Sequence, residues 1–365
     1  MKNIAVFFGG ESVEHDVSVI TGVMTVNSLD KSLYNPIPVY VSQSGEWFTG
    51  SSLYDLDEYR NLNEKKLNRV TFVFGDNNLY IIKGKKLKKY LPISCAINCM
   101  HGERGEDGCL AGIIKTCKIA FASPPMLPSA VSMDKDFTKT VMRALKVKTL
   151  NGIVVKSGDL SDIELKKLQY PLIVKPNRLG SSIGVSKVNK EEQLRSAISY
   201  ALKFGESVVL EPCLEDFTEI NCAAYRTADG KITVSLCEKP VGRSKLLSFD
   251  DKYQGGERVF PADIPEKVSK KIRETTNKIY LAMGFSGVIR IDYFVVGTEV
   301  ILNEINTVPG SLAYYLFCQT LSEFSKMLKE MIDVAFLEFA KEESLVKTYS
   351  TSILTFGGSK GAKRL

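Results

Sequence analysis

A change in hydrophobic patterning at Thr149 constrains what this chain can fold into more than any other feature of its sequence. Before that point, an apolar run over residues 3–8 ends at Gly9-Gly10, and a polar turn, a helix-like stretch over 17–29 and a second strand near 37–41 follow. This β-loop-α-β order predicts an open α/β sheet. After Thr149 the chain reads as short β-prone runs at 172–175, 208–211, 220–225, 232–237, 287–296 and 300–304, with few helices. Such a stretch predicts an α+β half built on antiparallel sheets. With 365 residues, the chain is long enough for two or three domains of these two kinds.

Within the first half, β-prone runs at 70–74 and 79–82 flank Gly75-Asp76-Asn77-Asn78 and predict a hairpin. The apolar run 94–100 predicts a buried strand that stops at His101-Gly102-Glu103-Arg104-Gly105-Glu106-Asp107-Gly108. Open α/β sheets bind ligands at the carboxyl ends of their strands, so this polar loop lies where a site would form. The proline-rich stretch 123–128 reads as a linker and 134–145 as a helix. Residues 239–261 are polar and glycine-bearing, and a loop of that length reads as a lid. Helices are expected over 265–283 and 322–340, and a frayed tail over 357–365.

Composition narrows the class. The chain is 44% hydrophobic and 25% charged, an ordinary globular balance. Its formal net charge of +6 is spread along the chain apart from patches such as 83–89, which suits small anionic ligands better than nucleic acid. Eight cysteines without a CxxC pair, and only two histidines, argue against a Cys/His zinc centre and for a reduced, cytoplasmic setting. The N-terminal apolar run is too short for a secretory signal, and no stretch approaches the roughly 18 apolar residues of a membrane span.

Two segments carry chemistry. In the first, Asp292 sits on one predicted strand, and Glu304 and Asn306 share one face of the next because strand side chains alternate. Three oxygen-bearing side chains on adjacent strands fit a hard cation, with Mg²⁺ plus phosphate oxygens as the natural occupant. The plainer reading is a solvated sheet edge with incidental acids. The second segment, 174–185, reads strand, Gly/Ser-rich turn, strand, and its small residues let backbone N–H groups converge on phosphate while Lys175 supplies charge. It lacks the GxxxxGK[ST] pattern and the helix of a Walker A loop, and an ordinary hairpin turn is the alternative.

Taken in order, the motifs resemble the D-alanine:D-alanine ligase family of the ATP-grasp superfamily. A GGxSxExxVS pattern spans 9–18, HGxxGEDGxxxG spans 101–112, and MDK stands at Met133-Asp134-Lys135. KPxxxGSSxG spans 175–184, RID stands at Arg290-Ile291-Asp292, and ExNTxPG spans 304–310. The resemblance implies an N-terminal α/β substrate domain over 1–126, a central α+β subdomain over 127–214, and a C-terminal α+β subdomain over 215–365 carrying the metal site and lid. It implies ATP as co-substrate with two Mg²⁺ ions, replaceable by Mn²⁺, held by Asp292, Glu304 and Asn306. Lys135, Lys175, Ser181, Ser182 and Lys252 would meet the phosphates, Glu211 and Leu214 the adenine, and Glu219 the ribose. Glu14 would hold the first substrate's ammonium, with His101 and Ser181 beside it and Lys252 and Tyr253 closing over it from the lid. Arg290 and the Gly310 backbone N–H would stabilise the oxyanion after attack on an acyl phosphate. Small amino acids are the implied partners, D-alanyl-D-alanine for peptidoglycan precursors the implied product, and a homodimer the implied assembly.

The sequence departs from the family after Gly310. Tyr315 stands where the family has a serine that helps bind the second amino acid's carboxylate, and the resemblance places Leu316 after it on the substrate as well. A phenol carries its hydroxyl farther out, so the acceptor pocket must be reshaped. Tyr315 or Ser311 then replaces the serine's hydrogen bond, or the acceptor differs, D-serine, another amino acid or a hydroxy acid being the options. Lys252-Tyr253 counts against the hydroxy acid. A non-catalytic nucleotide-binding regulator is the alternative of another class, and the presence of Arg290, Asp292, Glu304 and Asn306 argues against it.

Overall fold

The computed structural model describes residues 1–156, 168–241 and 257–351. The tail over 357–365 and the middle of the expected lid, with Lys252 and Tyr253, lie outside the described residues.

The first half folds around an eight-stranded sheet made of β1 (Lys2–Gly9), β2 (Tyr34–Val41), β3 (Trp47–Thr49), β4 (Asn68–Val73), β5 (Asp76–Lys83), β6 (Lys86–Pro92), β7 (Cys95–Asn98) and β8 (Ala120–Phe121). Their spatial order is β6-β5-β4-β3-β2-β1-β7-β8. The β2-β1-β7-β8 part is parallel and the rest antiparallel. Helix α1 (His15–Ser28) crosses this sheet closely, because a Cβ on Gly22 would fall 2.1 Å from the Phe8 ring. The hairpin turn is tighter than expected: β5 already starts at Asp76, whose carboxylate accepts from the Asn78 N–H at 3.0 Å. The lysine patch over 83–89 becomes β6, an edge strand almost wholly exposed, a placement that blunts edge-to-edge pairing.

The second half holds two four-stranded antiparallel sheets. One, ordered β11-β10-β12-β9, comprises β9 (Ile153–Lys156), β10 (Leu172–Pro176), β11 (Ser186–Val188) and β12 (Ser207–Pro212). The other, ordered β14-β13-β17-β18, comprises β13 (Thr218–Arg226), β14 (Ile232–Val234), β17 (Val288–Val296) and β18 (Glu299–Asn306). The expected lid opens and closes on a two-stranded ladder of β15 (Lys239–Val241) and β16 (Glu257–Val259).

Helices depart from expectation in three places. Helix α2 (Cys109–Thr116) follows the polar loop, and α3 (Met126–Met133) begins inside the stretch read as a linker. Pro128 is tolerated there because the first helical turn has no N–H partner to lose. Helix α4 (Lys135–Ala144) sends Met142 into the core of the last sheet, together with Ile272 and Ile279 of α6 (Glu266–Met283). Helix α5 (Glu191–Ala201), unread in the sequence, places Leu194, Ala197, Ile198 and Ala201 on the central sheet at helical spacing.

The last helix, α7 (Leu321–Glu343), opens on a capping box in which the Thr320 hydroxyl accepts from the Glu323 N–H at 3.2 Å. It then returns to the first sheet at β7 and β8, burying Phe324, Met327, Leu328, Met331 and Ile332 in the same core as Ile4, Val6 and Phe8. Full burial of such side chains contributes roughly 1.5–3 kcal/mol apiece, so this helix joins the two ends of the chain. Among the described residues no helix is long and apolar enough to cross a membrane.

Candidate active site

The turn after β1, the loop after β7, the β10–β11 loop and the ends of β17 and β18 converge on a cavity of about 490 Å³. Glu14 lies on its wall at the N-terminus of α1, where the helix dipole favours an acid. It is 5% exposed, and Ser181 Oγ donates to its Oε1 from the β10–β11 loop. Gly102 passes beside it with φ +75°, and a Cβ there would meet Ser12 Oγ at 2.3 Å. Ser12 Oγ in turn accepts from the Glu14 N–H at 3.1 Å. The GGxSxExxVS pattern thus splits into side chains on the cavity wall, Glu14 and Val17, and supports. Ser18 is a support: its hydroxyl donates to Cys99 O and accepts from the Gly9 N–H, both at 2.7 Å.

His101 lines the same cavity, buried, with Nε2 3.2 Å from Thr21 Oγ1. Burial, reinforced by the Arg290 guanidinium, pushes its pKa down to about 3. The native ring therefore stays neutral, and stability tied to it is present above the ordinary value of 6.5 and lost as pH falls from there toward 3. In an NMR titration of histidine-labelled protein, the His101 ring signals are expected to stay fixed from about pH 8 to pH 5. A midpoint near the ordinary histidine value would contradict this burial.

Glu106, unassigned in the sequence reading although it lies in the HGxxGEDG motif, is central to the site. Its Oε2 accepts from the Gly102 N–H at 2.9 Å and its Oε1 from the Val308 N–H at 3.2 Å. It so ties the loop after β7 to the segment before Gly310. Burial, then the neighbouring Glu14 charge, raises its pKa to about 8, which favours its protonated form.

At the far wall, β17 and β18 set Asp292 opposite Glu304 and Arg290 opposite Asn306. The Arg290 guanidinium grips Asp292 with both prongs, Nε to Oδ1 at 2.8 Å and Nη2 to Oδ2 at 3.0 Å. Burial works against the charge of Arg290, but Asp292 outweighs it and raises the pKa further. Asn306 Nδ2 donates to Asp292 Oδ2 at 3.1 Å, while Glu304 and Asn306 both line cavity surface. Two carboxylates and an amide are the donor set of a hard cation, and the pairing of Asp292 with Glu304 brings them together. Arg290 and any bound cation therefore share Asp292.

A second cavity, of about 280 Å³, lies between the two sheets of the second half. Lys135, Lys175, Ser182, Glu211, Leu214 and Glu219 all line it. Glu211 accepts from Lys139 Nζ and lies 2.7 Å from Lys175 Nζ, with all three side chains buried. Lys139, missed in the sequence, lies one helical turn beyond Lys135. Two buried lysines against one glutamate leave a surplus positive charge where anionic phosphates would enter. Ser181, expected both beside Glu14 and on the phosphates, has its hydroxyl on Glu14, and Glu219 lines both cavities.

Beyond Gly310 the chain makes a left-handed turn, with φ +53°, +50° and +48° at Ser311, Leu312 and Ala313. A non-glycine residue there costs of order 1–3 kcal/mol, and burial of Leu312 and Ala313 in the first core holds the turn. The turn brings Tyr315 to the cavity, its hydroxyl 3.5 Å from Arg290 Nη1. Leu316 corrects its expected contact with substrate: it is 4% exposed and packs into the same core as Phe324 and Leu328. Arg258 and Glu238, neither expected, complete the rim.

Comparison with known proteins places these features in a family. Residues 3–124 match the family described as D-ala D-ala ligase N-terminus, and residues 144–334 match D-ala D-ala ligase C-terminus. The D-alanine–D-alanine ligase of Thermosipho melanesiensis is 35% identical over 364 residues, covering 97% of this chain and 98% of that protein. The crystal structure of D-alanine–D-alanine ligase from Helicobacter pylori superposes with a TM-score of 0.76 at 27% identity, covering 96% and 100% of the two chains. That of the VanG D-Ala:D-Ser ligase from Enterococcus faecalis gives 0.78 at 27% identity, covering 92% and 99%.

Proposed function

We infer that this chain, which belongs to the D-alanine–D-alanine ligase family, joins two D-alanine molecules at the expense of ATP, releasing ADP and phosphate. The dipeptide supplies peptidoglycan precursor synthesis. The observation that carries the reading is the meeting of Glu14, Arg290 and Gly310 around one cavity, with the lysine-rich cavity adjoining through Glu219.

The first D-alanine places its ammonium on Glu14, which Ser181 orients. Neutral His101, and a Glu106 whose raised pKa favours its protonated form, limit further charge on the neighbouring wall. The carboxylate of this D-alanine attacks the γ-phosphorus, the bond to the β-bridging oxygen breaks, and an acyl phosphate and ADP result. Lys135 and Lys175 attract the phosphates from the central side. Asp292, Glu304 and Asn306 are the residues that would hold Mg²⁺, which when bound neutralises phosphate charge during transfer. The amine of the second D-alanine, as its free base, then attacks the acyl carbon. Arg290 and the Gly310 N–H stabilise the oxyanion before phosphate leaves. Nothing lies within 4 Å of an ideal Cβ at Gly310, so its backbone can approach substrate without obstruction. No covalent enzyme intermediate is needed, because positioning and electrostatics suffice.

Incubation with ATP, Mg²⁺ and D-alanine should release ADP and phosphate in equal amounts with D-alanyl-D-alanine, identified by mass. With isotopically labelled carboxylate oxygen in D-alanine, one labelled oxygen should appear in the phosphate. Label retained wholly in the dipeptide and unreacted D-alanine would exclude the acyl phosphate. Tyr315 favours one second reading, a different acceptor. A panel of D-serine, other amino acids and D-lactate tests it: preferred turnover with any of these over D-alanine would replace the acceptor but keep the ligase.

A further inference from the structure

The acceptor end of the cavity has a feature that neither the family motifs nor the proposed mechanism uses. Strand β16 carries Arg258, which pairs across the ladder with Pro240 of β15. Its guanidinium lies 4.6 Å from the centre of the Tyr315 ring, within cation–π range. Its Nη1 is 3.4 Å from Glu238 Oε1, a long contact, and its side chain is 43% exposed. Glu238 is itself buried and fixed, accepting from Asn221 Nδ2 at 3.2 Å. Tyr315 is therefore held on two sides, its ring under Arg258 and its hydroxyl toward Arg290.

These contacts divide the work between the cavity's two arginines. Arg290 has Nε and Nη2 committed to Asp292, and its remaining prong faces Tyr315 Oη. Among the described residues, Arg258 makes only the one long hydrogen bond to Glu238. Arg258 lines the cavity, and a guanidinium's planar fork suits two parallel bonds to a carboxylate. An acceptor amino acid must place its amine near the Arg290–Gly310 centre and its carboxylate away from Glu14, toward the Tyr315 wall.

We propose that Arg258, stacked on Tyr315 and aligned by Glu238, binds the carboxylate of the acceptor amino acid, taking over the task for which the family uses a serine at the Tyr315 position. The proposal rests on the ligase reading above. The phenol that displaces the serine is then a platform for a guanidinium, which restores recognition by charge from a neighbouring strand.

The test measures both amino-acid sites separately, with D-alanine and D-alanine amide as acceptors. Arg258→Gln should raise the acceptor KM by about 10- to 100-fold, the loss of one charged hydrogen-bonding partner, with the donor and ATP KM values within about twofold. Wild type should prefer the free acid over the amide as acceptor, and Arg258→Gln should lose that preference. A purely structural role would not produce that change. Arg258→Lys should recover part of the preference. Tyr315→Phe should keep it and Tyr315→Ser lower it, so the proposal survives failure of any single variant to fold. An acid-over-amide preference retained in Arg258→Gln, or an unchanged acceptor KM, overturns the proposal while leaving the ligase intact. Absence of wild-type turnover with every amino-acid pair overturns the ligase reading and this proposal together.

Discussion

Replacing Arg290 with alanine is expected to lower kcat by at least about 10²-fold with little change in KM for ATP, as for loss of one oxyanion-stabilising donor. Arg290 lines the cavity beside Gly310, whereas the nucleotide cavity is lined by other residues, so binding and chemistry should separate. The same substitution strips Asp292 of two hydrogen bonds at a site 1% exposed. Arg290→Lys distinguishes these effects: it keeps a positive charge for Asp292 but not the two-pronged grip, and should leave turnover well below wild type with a near-native denaturation midpoint. Wild-type turnover in Arg290→Ala would remove this residue from the reaction.

The second large effect concerns stability. Glu211→Ala should destabilise the protein by about 3–5 kcal/mol, measured by chemical denaturation, because it leaves Lys139 and Lys175 buried without their shared partner. Burial would raise the Glu211 pKa, but Lys175 and Lys139 outweigh it and hold the carboxyl below its ordinary value of 4.5. An acid depressed in this way stabilises above its unfolded pKa and loses that contribution as pH falls through the folded one. Stability of the wild type should therefore drop in acid below about pH 4.5, by more than that of Glu211→Ala. Burial meanwhile pushes the Lys139 pKa down, with Glu211 opposing the shift and the Lys175 charge adding to it. A loss under about 1 kcal/mol for Glu211→Ala would mean that the cluster is solvated and not buried.

Much of the site was legible because the motif residues occupy positions that local structure fixes. Glu304 and Asn306 share a face by strand alternation, but the turn register alone would set Asp292 opposite Asn303, and a β-bulge between Asp292 and Tyr293 brings Glu304 there instead. Lys135 and Lys175 follow or end regular elements, and their cavity sides agree with side-chain alternation and helix position. Misses have equally specific causes. Leu194, Ala197, Ile198 and Ala201 show helical spacing but lie in a stretch dominated by strand signals, which hid α5. Leu316 follows Tyr315 in sequence, yet the left-handed turn carries its side chain into the core.

By itself the sequence determined the order of strands, the positions of the charged groups and, through strand alternation, the shared face of Glu304 and Asn306. Local backbone preference and hydrogen-bond periodicity act over a few residues, and these features need no more. Only the tertiary structure decided which distant groups share charge. Ser181 reaches Glu14 across 167 positions, and Lys139 reaches Glu211 across 72. Helix α7 packs against β7 and β8 from the other end of the chain, and Arg258 covers Tyr315. Such contacts are set by burial of apolar faces from separate sheets, which fixes distances that no local pattern encodes. The left-handed turn at 311–313 belongs with them, since only packing of Leu312 and Ala313 in a core formed by both chain ends compensates its backbone strain.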